Sequence, residues 1–96
     1  MKLDRNNVKS NLPKKGFEME DDNHHIYFHH IHNGKRSRAY TYVSHSKKDG
    51  DLRDGIIKMM KKQLVLDTNK QVSDLVNCPM SSEQYIEHLK AKGVIS

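Results

Sequence analysis

The sequence predicts an α+β fold in which a helix, a three-stranded antiparallel sheet and a second helix are followed by one or two short C-terminal helices. Three observations predict it. Apolar and polar residues alternate along Phe17, Glu18, Met19 and Glu20, and aromatic and branched residues fill His24 to Ile31, as strands with one buried face require. Asn33-Gly34 supplies a two-residue hairpin turn, because both residue types tolerate positive φ. From Asp51 the apolar period lengthens from two residues to the helical repeat.

The elements follow in order. Asp4 to Lys15 offers a short helix with Val8 and Leu12 one turn apart, Asp4 as its cap and Gly16 as its terminator. Pro13 lacks a backbone donor, so the last turn before Gly16 is expected to be irregular. Phe17 to Glu20 is the first strand, Asp21 to Asn23 a turn, His24 to Ile31 the second strand and Arg38 to Val43 the third, with a polar loop over Ser44 to Gly50. Leu52, Ile56, Met59, Met60 and Leu64 then form one helical stripe, with Arg53, Lys58, Lys61 and Lys62 mostly opposite, and Met59-Met60 reads as core filling. Asp67 to Asn69 break this helix. Val72, Leu75 and Val76 mark a brief third helix that Pro79 ends. Ser81 and Gln84 have capping-box spacing at the head of a last helix, which carries Tyr85, Ile86 and Leu89 and meets Gly93. A three-stranded sheet has one face to cover, and the flanking helices are the available cover. Residues 1–66 form the helix–sheet–helix unit, and 67–96 a helical extension packed on the same domain to close its core or to meet another subunit.

At 96 residues the chain has room for one domain, and with 34% hydrophobic and 30% charged residues its core must be thin. A lone cysteine, Cys78, excludes an intramolecular disulfide and reads as a small buried residue. No run approaches the roughly 20 apolar residues of a membrane span, and Met1 to Asn7 lacks the apolar core of a signal peptide, so a cytoplasmic address is expected. The net charge is +5, and it is uneven: residues 1–66 carry 14 basic and 8 acidic side chains, and residues 67–96 carry 3 and 4. A face that attracts a polyanion therefore belongs to the first two thirds.

Five histidines fall within nine residues: His24, His25, His29, His30 and His32. Alternation along a strand puts His24, Ile26, Phe28, His30 and His32 on one side and His25, Tyr27, His29 and Ile31 on the other. Ile26 and Phe28 mark the first as the helix-covered side, with His24 at its rim. His30 and His32, about 6.6 Å apart along such a strand, have the spacing for two-point chelation. No further ligand has recognisable spacing, so no metal or other cofactor is expected. Tyr40 and Tyr42 share a sheet face, where they either stack on bases or pack. Lys35, Arg36 and Arg38 at the hairpin, and Arg53, Lys58, Lys61 and Lys62 along the second helix, are the candidate contacts to an RNA backbone; otherwise they are solvated charge.

Several segments together resemble a known family. A first helix closes in Lys15-Gly16-Phe17; Asn23-His24-His25-Ile26-Tyr27-Phe28-His29 stands where that family has a Gly-Ser-His motif and an Ile-Tyr-like strand. Tyr42-Val43-Ser44-His45-Ser46 stands where it often has Val-Pro-x-His, followed by a helix with an Ile-Leu-like pair, here Ile56-Ile57. Val8 to Leu64 thus resembles the HicA toxins, small mRNA-cleaving ribonucleases of toxin–antitoxin pairs with a double-stranded-RNA-binding-domain-like fold. The resemblance implies an endoribonuclease that needs no metal. It makes His24 the base that takes the ribose 2′-hydroxyl proton and His45 a second proton carrier or phosphate contact, with RNA and a HicB-like antitoxin as partners. An imidazole suits that task because it titrates near neutral pH. Asp22-Asn23 replaces the family's Gly-Ser, Ser44 its proline, and about thirty residues follow Leu66. These departures favour the alternative, a non-catalytic module that keeps the fold and binds RNA or a protein.

Overall fold

The computed structural model describes residues 3–44, 51–77 and 79–95. Strand β1 (Leu3–Asp4) leads into helix α1 (Arg5–Asn11), whose Asn6 N–H donates to the Asp4 carboxylate at 2.8 Å. Asp4 is thus the expected cap. The irregular turn foreseen at Pro13 is a 3₁₀ segment, Leu12–Lys15, closed by Gly16 at φ +90°.

Strands β2 (Phe17–Asp21), β3 (His25–His32) and β4 (Lys35–Ser44) form an antiparallel meander with β3 in the centre. Asn33 and Gly34 turn the second hairpin with φ of 53° and 76°. The register pairs Tyr27 with Tyr42 and His29 with Tyr40, then shifts between His29 and Ile31, so that Ile31 meets Arg36. The added β4 residues at this bulge let the strand begin at Lys35, earlier than expected.

A second ladder joins β1 to β5 (Asp51–Leu52), pairing Leu3 with Leu52. The helix expected from Asp51 therefore starts later, as α2 (Asp54–Gln63). Its buried stripe is Ile57, Met60 and then Leu64, while Ile56 and Met59 are half-buried. Two adjacent isoleucines satisfy a helical stripe almost equally well, and packing selected the second.

Helix α3 (Asn69–Asn77) packs on α1 and α2, and the Asn11 amide donates to the Val76 carbonyl at 2.6 Å. Helix α4 (Ser82–Ala91) opens with the expected capping box, Gln84 N–H to Ser81 Oγ at 3.1 Å and Ser81 N–H to Gln84 Oε1 at 2.8 Å. Gly93 follows its end at φ +74°. One apolar core runs from Leu3, Val8 and Leu12 through Phe17, Ile26, Phe28 and Val43 to Val72, Leu75, Tyr85 and Leu89. The 67–96 segment thus contributes to the same core as the sheet.

The C-terminus of α2 is unusual. Val65 takes the left-handed conformation, φ +59°, although a branched side chain is costly there. Helix α4 holds this turn: the Tyr85 hydroxyl donates to the Leu64 carbonyl at 2.8 Å, and His88 Nε2 lies 2.7 Å from the Val65 carbonyl.

Candidate functional site

His24 is exposed and lies in the turn before β3, not within the strand. That turn is closed by Asp22 N–H donating to the His25 carbonyl at 2.8 Å, and His24 N–H donates to the Asp22 carboxylate at 3.4 Å. Asn23 and His24 become the two loop residues of a tight hairpin, which removes His24 from the rim position expected for it. Among the described residues, no side chain bonds its imidazole. His45 and Cys78 lie outside the described residues.

The expected cations divide between the sheet and α2. Lys35 and Arg36 sit at the far end of the sheet from His24, about 23 Å away by a rise of ~3.3 Å per residue along β3. Lys35, Arg36, His32 and Asn33 line one open depression with Val94 and Ile95. Arg36 is occupied: its guanidinium donates to Glu18 at 2.8 Å and to Glu20 at 3.0 Å, and these bonds hold its pKa above the usual arginine value. Register explains this, because Glu18, Glu20, Ile31 and Arg36 all project from the face opposite the core. Arg53, Lys58 and Lys62 are exposed on α2 or just before it, and Lys61 is half-buried.

Arg38 and Lys62 are brought together. With Tyr40, Gln63 and Val65 they line a shallow depression of about 360 Å³ where the β4 edge meets the end of α2. The Thr41 hydroxyl donates to Gln63 Oε1 at 2.9 Å and ties the two elements at that place. The strained Val65 turn, bonded to α4, forms one wall.

The two sides of β3 differ sharply. Ile26, Phe28 and His30 are buried with Ala39, Thr41 and Val43 under the helices, whereas His25, Tyr27, His29, Tyr40 and Tyr42 remain half-buried or exposed. On the open side the rings form one continuous group: His25 to Tyr42 at 5.0 Å between centroids, Tyr27 to Tyr42 at 5.3 Å, Tyr27 to His29 at 6.1 Å and His29 to Tyr40 at 6.3 Å. The period-2 pattern separates His25, Tyr27 and His29 from their neighbours in sequence. Joining them to Tyr40 and Tyr42 requires the register.

His30 is fully buried between Phe17 and Tyr85, with both ring centroids 5.2 Å away. Its Nδ1 lies 3.2 Å from Ser37 Oγ, and its Nε2, beside Gly16, is buried without a partner among the described residues. Burial first, and then the charge of His32, lower its pKa to about 4. Two-point chelation by His30 and His32 would thus need the core to open, which removes the expected geometric option. Among the described residues, no three His, Cys, Asp or Glu side chains converge on a common point. No described helix is long and apolar enough to cross a membrane.

Comparison with protein-family models, curated proteins and solved structures finds no match for this chain.

Proposed function

We propose that this chain is a cytoplasmic RNA-binding protein of the HicA-like kind, which holds the RNA backbone at the junction of β4 and α2 and cleaves it through His24. The carrying observation is the convergence of Arg38 and Lys62 around Tyr40 in one open depression. Two cations flanking an exposed ring can meet a phosphate and a base at once, without reading sequence. His24 is exposed on a hairpin tip, where a flexible strand can reach it.

In the proposed reaction the His24 imidazole takes the 2′-hydroxyl proton, and the freed oxygen attacks the adjacent phosphorus. The P–O5′ bond breaks, leaving a 2′,3′-cyclic phosphate and a 5′-hydroxyl whose proton comes from a second acid, for which His45 is the candidate. Ser44 pairs with His25 and Arg38 lies well back along β4, roughly 15 to 20 Å from His24 at a rise of ~3.3 Å per residue, so Arg38 and Lys62 anchor the strand some nucleotides away from the reacting phosphate. A HicB-like antitoxin would act by covering His24 and the cationic junction.

One observation favours a second reading, a binding module without cleavage: among the described residues no side chain orients the His24 ring, and a general base ordinarily needs such a partner. Induction in cells and incubation with RNA in vitro separate the two. The nuclease reading expects growth arrest and cyclic-phosphate ends from the wild type, both lost in His24→Ala at equal expression. RNA that is bound but left intact by wild type and variant alike would replace it with the binding module.

A further inference from the structure

The open face of the sheet is a ring platform continuous with the cationic junction, and Tyr40 belongs to both. We infer that this platform, His25, Tyr27, His29, Tyr40 and Tyr42, stacks the unpaired bases of single-stranded RNA whose phosphates follow Arg38 and Lys62. The inference rests on the RNA reading above and specifies its substrate class.

Three features carry it. First, the rings are available: Tyr40 is 38% exposed and His25, Tyr27, His29 and Tyr42 are half-buried, the Tyr42 hydroxyl reaching Met59 of α2 at 3.7 Å, unlike the sealed residues on the opposite face. Tyr27, His29 and Tyr40 form a terrace, with successive planes inclined by only 14° and 23°. Aromatic and imidazole faces accept any base, because every base has a π face.

Second, the charges give the strand a direction across the face. Glu18 and Glu20 border the β2 side, and Arg36 is held between them, so that side carries two carboxylates against one guanidinium. Glu20 also lies 3.9 Å from His29 Nε2. Phosphates are repelled there and attracted to Arg38 and Lys62 beyond β4. The backbone therefore belongs along the β4 edge, with the bases laid inward over the rings.

Third, spacing selects single strands. Same-face residues on a strand repeat about every 6.7 Å, twice the ~3.4 Å rise between stacked nucleotides of a duplex strand. Bases can meet successive rings only after leaving their own stack. A duplex keeps its base faces hidden and can offer the platform nothing but its backbone.

The test uses the full chain and a non-cleavable probe, a fluorescent 2′-O-methyl oligonucleotide of about twelve nucleotides without internal pairing, alone or annealed to its complement. Anisotropy titration is expected to give tighter binding to the single strand. Tyr40→Ala should weaken that binding roughly ten- to hundredfold and so narrow the preference for the single strand over the duplex, and Tyr27→Leu should act in the same direction. Circular dichroism melts confirm that both variants fold; if Tyr27→Leu does not, the exposed Tyr40 position decides alone. Equal affinity for both probes, unaltered by either tyrosine variant, overturns this inference but leaves RNA binding at the cations intact. Absence of binding to both probes overturns the RNA reading itself. A wild-type dimer in sedimentation that Tyr40→Ala dissociates would instead assign the platform to a second copy of the chain, and so contradict the inference.

Discussion

Along β3 one residue type meets two opposite environments. His30 is sealed between Phe17 and Tyr85 with one ring nitrogen unpartnered among the described residues, while His25 and His29, an odd number of positions away, lie on the open side among tyrosines. The chain therefore uses imidazole once as a core shape and twice as a surface ring. The difference follows from alternation alone: a one-residue slip of β3 would exchange the two sets. Histidine density by itself is a poor guide to chemistry here, because parity decides which rings a ligand can touch.

The covered side should dominate stability. Phe28→Ala, deep in the core, is expected to cost about 3 to 5 kcal/mol in a denaturant titration, enough to erase much of the stability of so small a domain. A loss below about 1 kcal/mol would mean the two faces are not distinct. His30 adds a pH signature. Its folded pKa of about 4 lies below the unfolded value near 6.5, so the unfolded chain binds the proton more readily. Stability is complete above pH 6.5, declines as pH falls from 6.5 toward 4 by up to about 3 kcal/mol, and loses nothing further from this group below that. His30→Leu should flatten the decline over this window, as unfolding midpoints at several pH values would register. An unchanged slope would place the titrating group elsewhere.

Smaller effects sharpen the contrast. Tyr85→Phe keeps the ring that packs on His30 but leaves the Leu64 carbonyl without its donor, at an expected cost of about 1 to 2 kcal/mol. Tyr27→Ala on the open side removes cross-strand ring contacts and should cost less than about 1 kcal/mol, measured by the same titration. A comparable loss from Tyr27→Ala and Phe28→Ala would show that the open face is part of the core.

Much of this fold was legible because it is written in local rules. Asn33-Gly34 turns where its φ tolerance permits, Ser81 and Gln84 cap α4, and Asp4 caps α1. The strand parity of Ile26, Phe28 and His30 survives in the structure. The misses are non-local. The β1–β5 ladder is two residues long and leaves no periodic trace, so the helical pattern reads from Asp51 although α2 begins at Asp54. His24 left its strand because a two-residue turn closed on Asp22 and His25. Arg36 is taken up because the register sets it within reach of Glu18 and Glu20, and Arg38 meets Lys62 because α2 folds against β4. Each depends on which strand lies beside which, information that composition and spacing within one segment do not contain.

Salt dependence of RNA binding tests most directly whether the junction of β4 and α2 holds a nucleic-acid backbone. For a single strand each phosphate contact contributes about 0.7 to the slope of log K against log salt concentration. Replacing Arg38 and Lys62 together by alanine is expected to lower the slope by about 1.4 and weaken binding at every salt concentration. An unchanged slope in the double variant would contradict the assignment of these two cations to the RNA.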